Sequence, residues 1–153
     1  MTERKMNDQD IRTFITMARR YFEALEADPS LVIEPPFLRD ELGPWLEYTG
    51  IISVSGRSNG AVCFTASGTM LERILALLHD ERRDDTAKRD LVGEIANTLS
   101  GNAREEFGSE FRISVPLVMV GPRRSADFHT GERNYAIPLN WRSETAYLLI
   151  GLD

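Results

Sequence analysis

Four residues in the middle of the chain have types and spacing suited to work on a partner's surface: Asp90, Glu94, Asn97 and Gly101. They lie in the string Asp90-Leu-Val-Gly-Glu94-Ile-Ala-Asn97-Thr-Leu-Ser-Gly101. On a helix turning about 100° per residue, all four fall on one narrow strip. Leu91, Val92, Ile95 and Leu99 fall roughly opposite, as a core-facing stripe requires. Glu94 and Asn97 are then i, i+3 neighbours turned outward. A carboxylate can hold a cation. A primary amide accepts through its oxygen and donates through its NH2, so it can orient a water without taking a proton from it. Spacing alone leaves two readings open, a solvated helix face and a working one. Two features weaken the first without removing it. Asn is a mediocre helix former. Gly101 costs the helix about 1 kcal/mol relative to Ala, and its missing side chain admits close approach by another chain.

Other chemistries find little support. Cys63 sits between Val62 and Phe64 in a strand pattern and reads as a packed thiol before a nucleophile. His79 and His129 have no Cys or His at metal-ligand spacing, and neither belongs to a nucleophile–base motif. There is no Walker sequence and no GxGxxG after a strand, and the glycines of 56–60 suit a turn. The acids Asp84, Asp85 and Asp90 lack the spacing of a calcium loop, so no metal site is expected. Arg82-Arg83, Lys88-Arg89 and Arg123-Arg124 read first as solvated charge and second as contacts for an acidic partner. Trp45 and Trp141 suit packing at least as well as interface anchoring.

These residues must be held by a core, and the chain is long enough to build one. Its 153 residues suit one domain over 1–153, and 42% hydrophobic content argues against disorder. The net charge of −6 argues against a nucleic-acid binder. The single cysteine excludes an intrachain disulfide and fits a reducing compartment. Residues 1–10 are polar, with no apolar signal region, and no run approaches a membrane span. The expectation is a cytoplasmic domain with no membrane partner.

Periodicity predicts a first helix over 8–27, with Asp8 or Asp10 as its cap, and with Ile11, Phe14, Ile15, Ala18, Phe22 and Leu25 on one face. Leu31-Val-Ile is a short strand, and 37–46 reads as a connection. Tyr48 to Ser55 and Gly60 to Ala66 form a hairpin. Ser67 caps a helix over Thr69 to His79, and Asp80 to Asp85 is a charged connector. The strip-bearing helix then runs from about Lys88 to Phe107. Phe111 to Val120 is a strand that Pro116 marks for an edge or a bulge. Pro122 to Asp127 is a turn or short strand. Arg133 to Leu139 and Thr145 to Leu152 pair. The sum is an α+β domain, helices packed on an antiparallel sheet.

The strip resembles the signature of the CheC/CheX/FliY family of chemotaxis phosphatases: an Asp or Ser, then Glu, Asn and Gly at the offsets of Asp90, Glu94, Asn97 and Gly101, in GEIANTLSGNA. The order of elements around it is similar, with a leading helix, the GIISVSGRSNGAVCFTAS hairpin, the ERILALL helix and the PLVMVG strand. Family members often carry two motifs in an internal pseudo-repeat. Here Phe14 and Met17 follow Asp10 where Glu and Asn would stand, and a single motif in the second half looks like CheX. Pro116 follows Asn97 by nineteen residues, a few fewer than is usual in the family, which implies a shorter helix end or loop.

The resemblance implies a CheC-like fold and a hydrolase in two-component signalling. Its substrate would be the aspartyl phosphate of a CheY-like response regulator. Asn97 would orient the attacking water and Glu94 would dock the receiver through its Lys. Asp90, either a weaker contact or only a helix N-terminal acid, and Gly101 would complete the partner-binding surface. It implies no cofactor of the chain's own, Mg in the partner receiver, and a homodimer pairing sheet edges. A non-catalytic module that binds a receiver or another signalling protein is the alternative.

Overall fold

The computed structural model describes residues 6–121 and 133–153. The predicted Pro122 to Asp127 segment, Arg123-Arg124 and His129 lie outside them. In chain order the elements are α1 (Asp8–Leu25), β1 (Leu31–Ile33), β2 (Phe37–Arg39), β3 (Tyr48–Gly56), β4 (Gly60–Ala66), α2 (Gly68–Leu77), α3 (Asp85–Phe107), β5 (Phe111–Ile113), β6 (Leu117–Val120), β7 (Arg133–Trp141) and β8 (Glu144–Leu152). All strands join one antiparallel sheet in the order β1-β7-β8-β4-β3-β5, with β2 also on β7 and β6 also on β3.

Alternation along the strands puts Ile52, Val62, Phe64, Leu148 and Ile150 on the helix face, where they meet Phe14, Phe22, Ile74, Ile95 and Leu99. The opposite face is closed by a smaller cluster in which Leu42, with Trp45 packed beside it, covers Ile51, Cys63, Ala136 and Leu149. Leu46 N donates to Thr65 Oγ1 at 2.8 Å, which pins this covering segment to the sheet. Cys63 is fully buried and burial pushes its thiol up, so it is a packing residue. Trp141 is also core, and its indole donates to Glu26 at 3.2 Å.

The two edges are built alike. Between the pairs Ile33↔Leu139 and Phe37↔Ala136, three residues (Glu34, Pro35, Pro36) oppose two. Between Val54↔Ile113 and Ile51↔Leu117, three residues (Ser114, Val115, Pro116) also oppose two. Each bulge opens with the same bond: Glu34 N to Pro138 O at 3.0 Å, and Ser114 N to Ser53 O at 2.9 Å. Matching the bulges equates Ile51 with Ala136 and Cys63 with Leu149, and Cys63 and Leu149 are themselves partners. An internal two-fold therefore passes through the centre of the sheet. It relates α1-β1-β2-β3-β4 to α3-β5-β6-β7-β8, and each half lends its broken edge strand to the other.

Several predicted boundaries move. Asn7, not Asp8 or Asp10, caps α1; Asp10 closes the capping box from the third position. Part of the expected 37–46 connection is β2, whose partner β7 lies about a hundred residues later. Ser67 caps α2 as expected, but the helix ends at Leu77, and His79 takes a positive φ. Phe111 to Val120 breaks into β5 and β6 at an edge bulge ending in Pro116, which cannot donate to the ladder.

A close backbone contact sets α3 on β3. A Cβ built on Gly50 would lie 2.4 Å from the Val92 carbonyl oxygen and 3.0 Å from Ala96 Cβ. Backbone cannot yield as a flexible side chain can, so α3 would have to lift. Gly50→Ala is expected to lower unfolding free energy by about 1–3 kcal/mol in denaturant titration, the usual cost of overpacking a core.

Candidate functional site

α3 begins three residues before the predicted start, because Asp84 accepts from Ala87 N at 2.9 Å and caps it. Asp85 is the first-turn acid. It accepts from the Tyr48 hydroxyl at 2.7 Å and from Arg89 Nε at 2.6 Å. Asp90 therefore lies in the second turn and is not an N-terminal acid. It is exposed and faces Arg82 at 3.8 Å. Arg82 in turn is bonded to Asp80. Asp84, Asp85 and Asp90 are thus committed separately, one to a cap, one to Tyr48 and Arg89, one to a loose pair. Among the described residues no group of acids, His and Cys is arranged to hold a metal. Lys88 pairs with Glu72 at 3.3 Å and Arg83 bonds the Asp80 carbonyl, so these cations staple the connector.

Along α3 the pattern separates as its sequence predicts. Leu91, Val92, Ile95, Ala96 and Leu99 are buried, while Asp90, Glu94 and Asn97 are exposed. Among the described residues, neither Glu94 nor Asn97 has a hydrogen-bond or ion-pair partner. Gly101 continues the strip, and a Cβ there would meet nothing within 4 Å. The strip is thus an uncommitted acid, an uncommitted amide and an open notch in one line.

Two groups beside the strip escaped the sequence. Tyr21 of α1 is half-buried against the core; burial pushes its phenol up, and the charge of Glu94 adds to the shift. Tyr21, seven residues past Phe14, borders the apolar face of α1, and its nearness to Glu94 comes from the packing of α1 on α3. On the other flank, a groove of about 310 Å³ is lined by Arg89, Asp90, Gly93 and Glu94 of α3 and by Pro116 and Val118. Gly93 lets the two walls meet, since a Cβ there would lie 3.0 Å from Val118 Cγ2. Despite its short spacing from Asn97, Pro116 reaches Glu94's side of the helix.

The opposite helix of the pseudo-repeat has no such strip at those offsets. Phe14 is fully buried and Met17 nearly so. The positions that could have carried a second acid and amide are filled with core.

The fold, three helices on one antiparallel sheet, is that of the CheC-like proteins. A chemotactic CheC-like protein from Shewanella oneidensis superposes with a TM-score of 0.82 at 21% identity, over 97% of this chain and 100% of that one. The chemotaxis protein CheX from Desulfovibrio desulfuricans gives 0.77 at 20% identity, over 95% and 99%. The CheX of a CheX–CheY–BeF3–Mg2+ complex from Borrelia burgdorferi gives 0.73 at 15% identity, over 93% and 96%. None of the curated proteins matches the chain. The family model described as chemotaxis phosphatase CheX matches residues 48–140, which include all of α3. The chain belongs to the CheX family of chemotaxis phosphatases.

The bond that seats the start of α3 on β3 predicts a pH response. Asp85, accepting from Tyr48, pushes the phenol up to about 12 from 10.0, with burial second. A raised folded-state value means stability fully present below pH 10 and lost as pH climbs towards 12. Tyr48→Phe has no such group to ionise. Denaturant unfolding at successive pH values should show the wild type losing its advantage over this variant across that window.

Proposed function

We propose that this protein hydrolyses the aspartyl phosphate of a CheY-like response regulator, with Asn97 and Glu94 of α3 as the working pair. The observation that carries the reading is that both side chains stand exposed and unengaged on one strip of a CheX-family chain. A solved relative crystallised with CheY supports the choice of partner class.

The chemistry asked of this chain is positional. A receiver's acyl phosphate has its own divalent ion, Mg in our reading, and a Lys to balance charge. What it lacks is an oriented water. The Asn97 carboxamide accepts one water hydrogen through its oxygen and directs the lone pair at phosphorus, in line with the leaving aspartate oxygen. The new P–O bond comes from water, the bond to the aspartyl oxygen breaks, and the products are free carboxylate and inorganic phosphate. Orientation of this kind supplies rate without a perturbed acid or base, as with the water-orienting Gln of GTPases. Glu94 pairs with the receiver's Lys and fixes the pose. Asp90, only loosely held by Arg82, adds a peripheral acid, and the notch at Gly101 admits the partner's surface. A homodimer pairing sheet edges belongs to the same reading.

Phosphate release from a phosphorylated receiver tests it. Asn97→Ala should return the rate to the receiver's own, at least 100-fold below the wild type on the order expected for a positioning group, with an unchanged circular dichroism spectrum. Glu94→Ala should weaken receiver binding. Binding without any acceleration by the wild type would identify a non-catalytic module instead.

Gly101→Ala separates folding from docking. With no neighbour within 4 Å, a methyl costs nothing inside the chain, and helix propensity should raise stability by about 1 kcal/mol. The same methyl should weaken receiver affinity. A more stable protein that binds as well as the wild type would remove Gly101 from the interface.

A further inference from the structure

We propose that the β5–β6 bulge, with Val115 at its apex and Leu117 at its foot, is an apolar second contact for the receiver domain beside the Glu94–Asn97 strip. The proposal rests on the functional reading above and adds the surface that selects the partner. Val115 is 84% exposed and Leu117 51%; of the exposed aliphatic side chains among the described residues these two border the strip, whereas Val32 and Leu38 lie on the far edge and Leu78 at the end of α2.

The bulge is a fixed feature. Ser53 N donates to Ser114 Oγ at 3.0 Å, Ser114 N donates to Ser53 O at 2.9 Å, and Ser114 Oγ donates to Val115 O at 2.9 Å. Bulges of this kind re-aim side chains at sheet edges. The apex is therefore held outward before any partner arrives, which limits the ordering cost of binding.

Its place ties it to the strip. Pro116 and Val118, the neighbours of Val115 and Leu117, form one wall of the groove whose other wall carries Asp90 and Glu94. A body that set a cation against Glu94 would meet the bulge at the same time. The internal two-fold supplies a control within the chain. The matching apex on the other edge is Pro35, so the bulge itself does not need an exposed Val. The helix beside that other half carries no acid–amide pair at the matching offsets. The distinction lies at the apex, since Phe37, the match of Leu117, is itself 40% exposed; the aliphatic apex stands on the edge beside the polar strip. The occupant it fits is a receiver domain that presents an apolar side chain next to its active-site Lys, the apolar contact giving affinity and the ion pair giving register.

The test measures binding to a beryllofluoride-activated, fluorescently labelled receiver, a readout independent of turnover. Val115→Ser/Leu117→Ser removes apolar surface without adding charge, and Val115→Ser alone guards against disturbance of β6. We expect the dissociation constant to rise roughly tenfold in the double variant and in part in the single one. Asn97→Ala should leave it within about twofold. Unchanged affinity in the double variant would overturn the proposal while leaving the hydrolytic reading intact. A fall in the double variant's sedimentation coefficient without a change in receiver affinity would also overturn it, assigning the bulge to a second copy of this chain. Retained phosphatase rate in Asn97→Ala, with the tenfold loss of affinity still seen, would sink the assignment of Asn97 and leave the bulge contact standing. A wild type that binds no receiver would overturn both.

Discussion

The closeness of α3 to β3 is the constraint on which the rest depends. Gly50 brings the backbone of the helix against the strand, so one face of α3 is spent entirely on the sheet. A helix committed so fully on one side has its rotation fixed, and the residues left over are determined by geometry. Both ends are tied as well. Asp84 and the Tyr48–Asp85 bond hold the start. At the other end Arg57 donates to the Phe107 carbonyl at 3.2 Å, lies 4.9 Å over the Phe107 ring and faces Asp10 at 3.8 Å. The hairpin turn, the start of α1 and the end of α3 thereby share one cation. Asp90, Glu94, Asn97 and Gly101 inherit their position from these distant contacts.

The internal two-fold shows how one half carries the polar strip and the other supports it. Both halves supply a long helix, a Pro-broken edge strand and a hairpin. Yet α1 puts Phe14 and Met17 into the core, and Phe14 stacks with Phe107 and Phe111 at 5.6 and 6.5 Å. Those rings brace the far end of α3. A second polar strip there would remove buried apolar area that stabilises the first, at roughly 1.5–3 kcal/mol per large side chain. The division is asymmetric because a short chain has only so much core to share.

Much of this was legible in the sequence because the signals were local. The period of Leu91, Val92, Ile95 and Leu99 fixed the buried face of α3, and the strip followed by subtraction. Turn residues marked the β3–β4 hairpin, and Pro116 announced the break between β5 and β6. What stayed hidden depends on partners far along the chain. β2 has three exposed residues and no period, and exists because β7 offers it a ladder. The true start of α3 was obscured by a run of charges whose order, cap then acid then cation, emerges only from their bonds. Tyr21 and the Pro116 groove join the strip through tertiary packing alone, and spacing within one element cannot express that.

The same geometry bears on the kind of catalysis the strip can support. Acid–base catalysis requires an environment that shifts a proton equilibrium, usually burial or a close charge. An exposed strip with an open notch offers neither until a partner covers it. Its assets are different: a helix of 23 residues, anchored at both ends and pressed on a sheet, with an amide and an acid one turn apart. Such a platform holds direction well and alters electronics little. It suits a reaction whose charge is already balanced on the partner and whose remaining barrier is the placement of a water. On such a platform rigidity in α3 takes the place of reactivity in any single side chain.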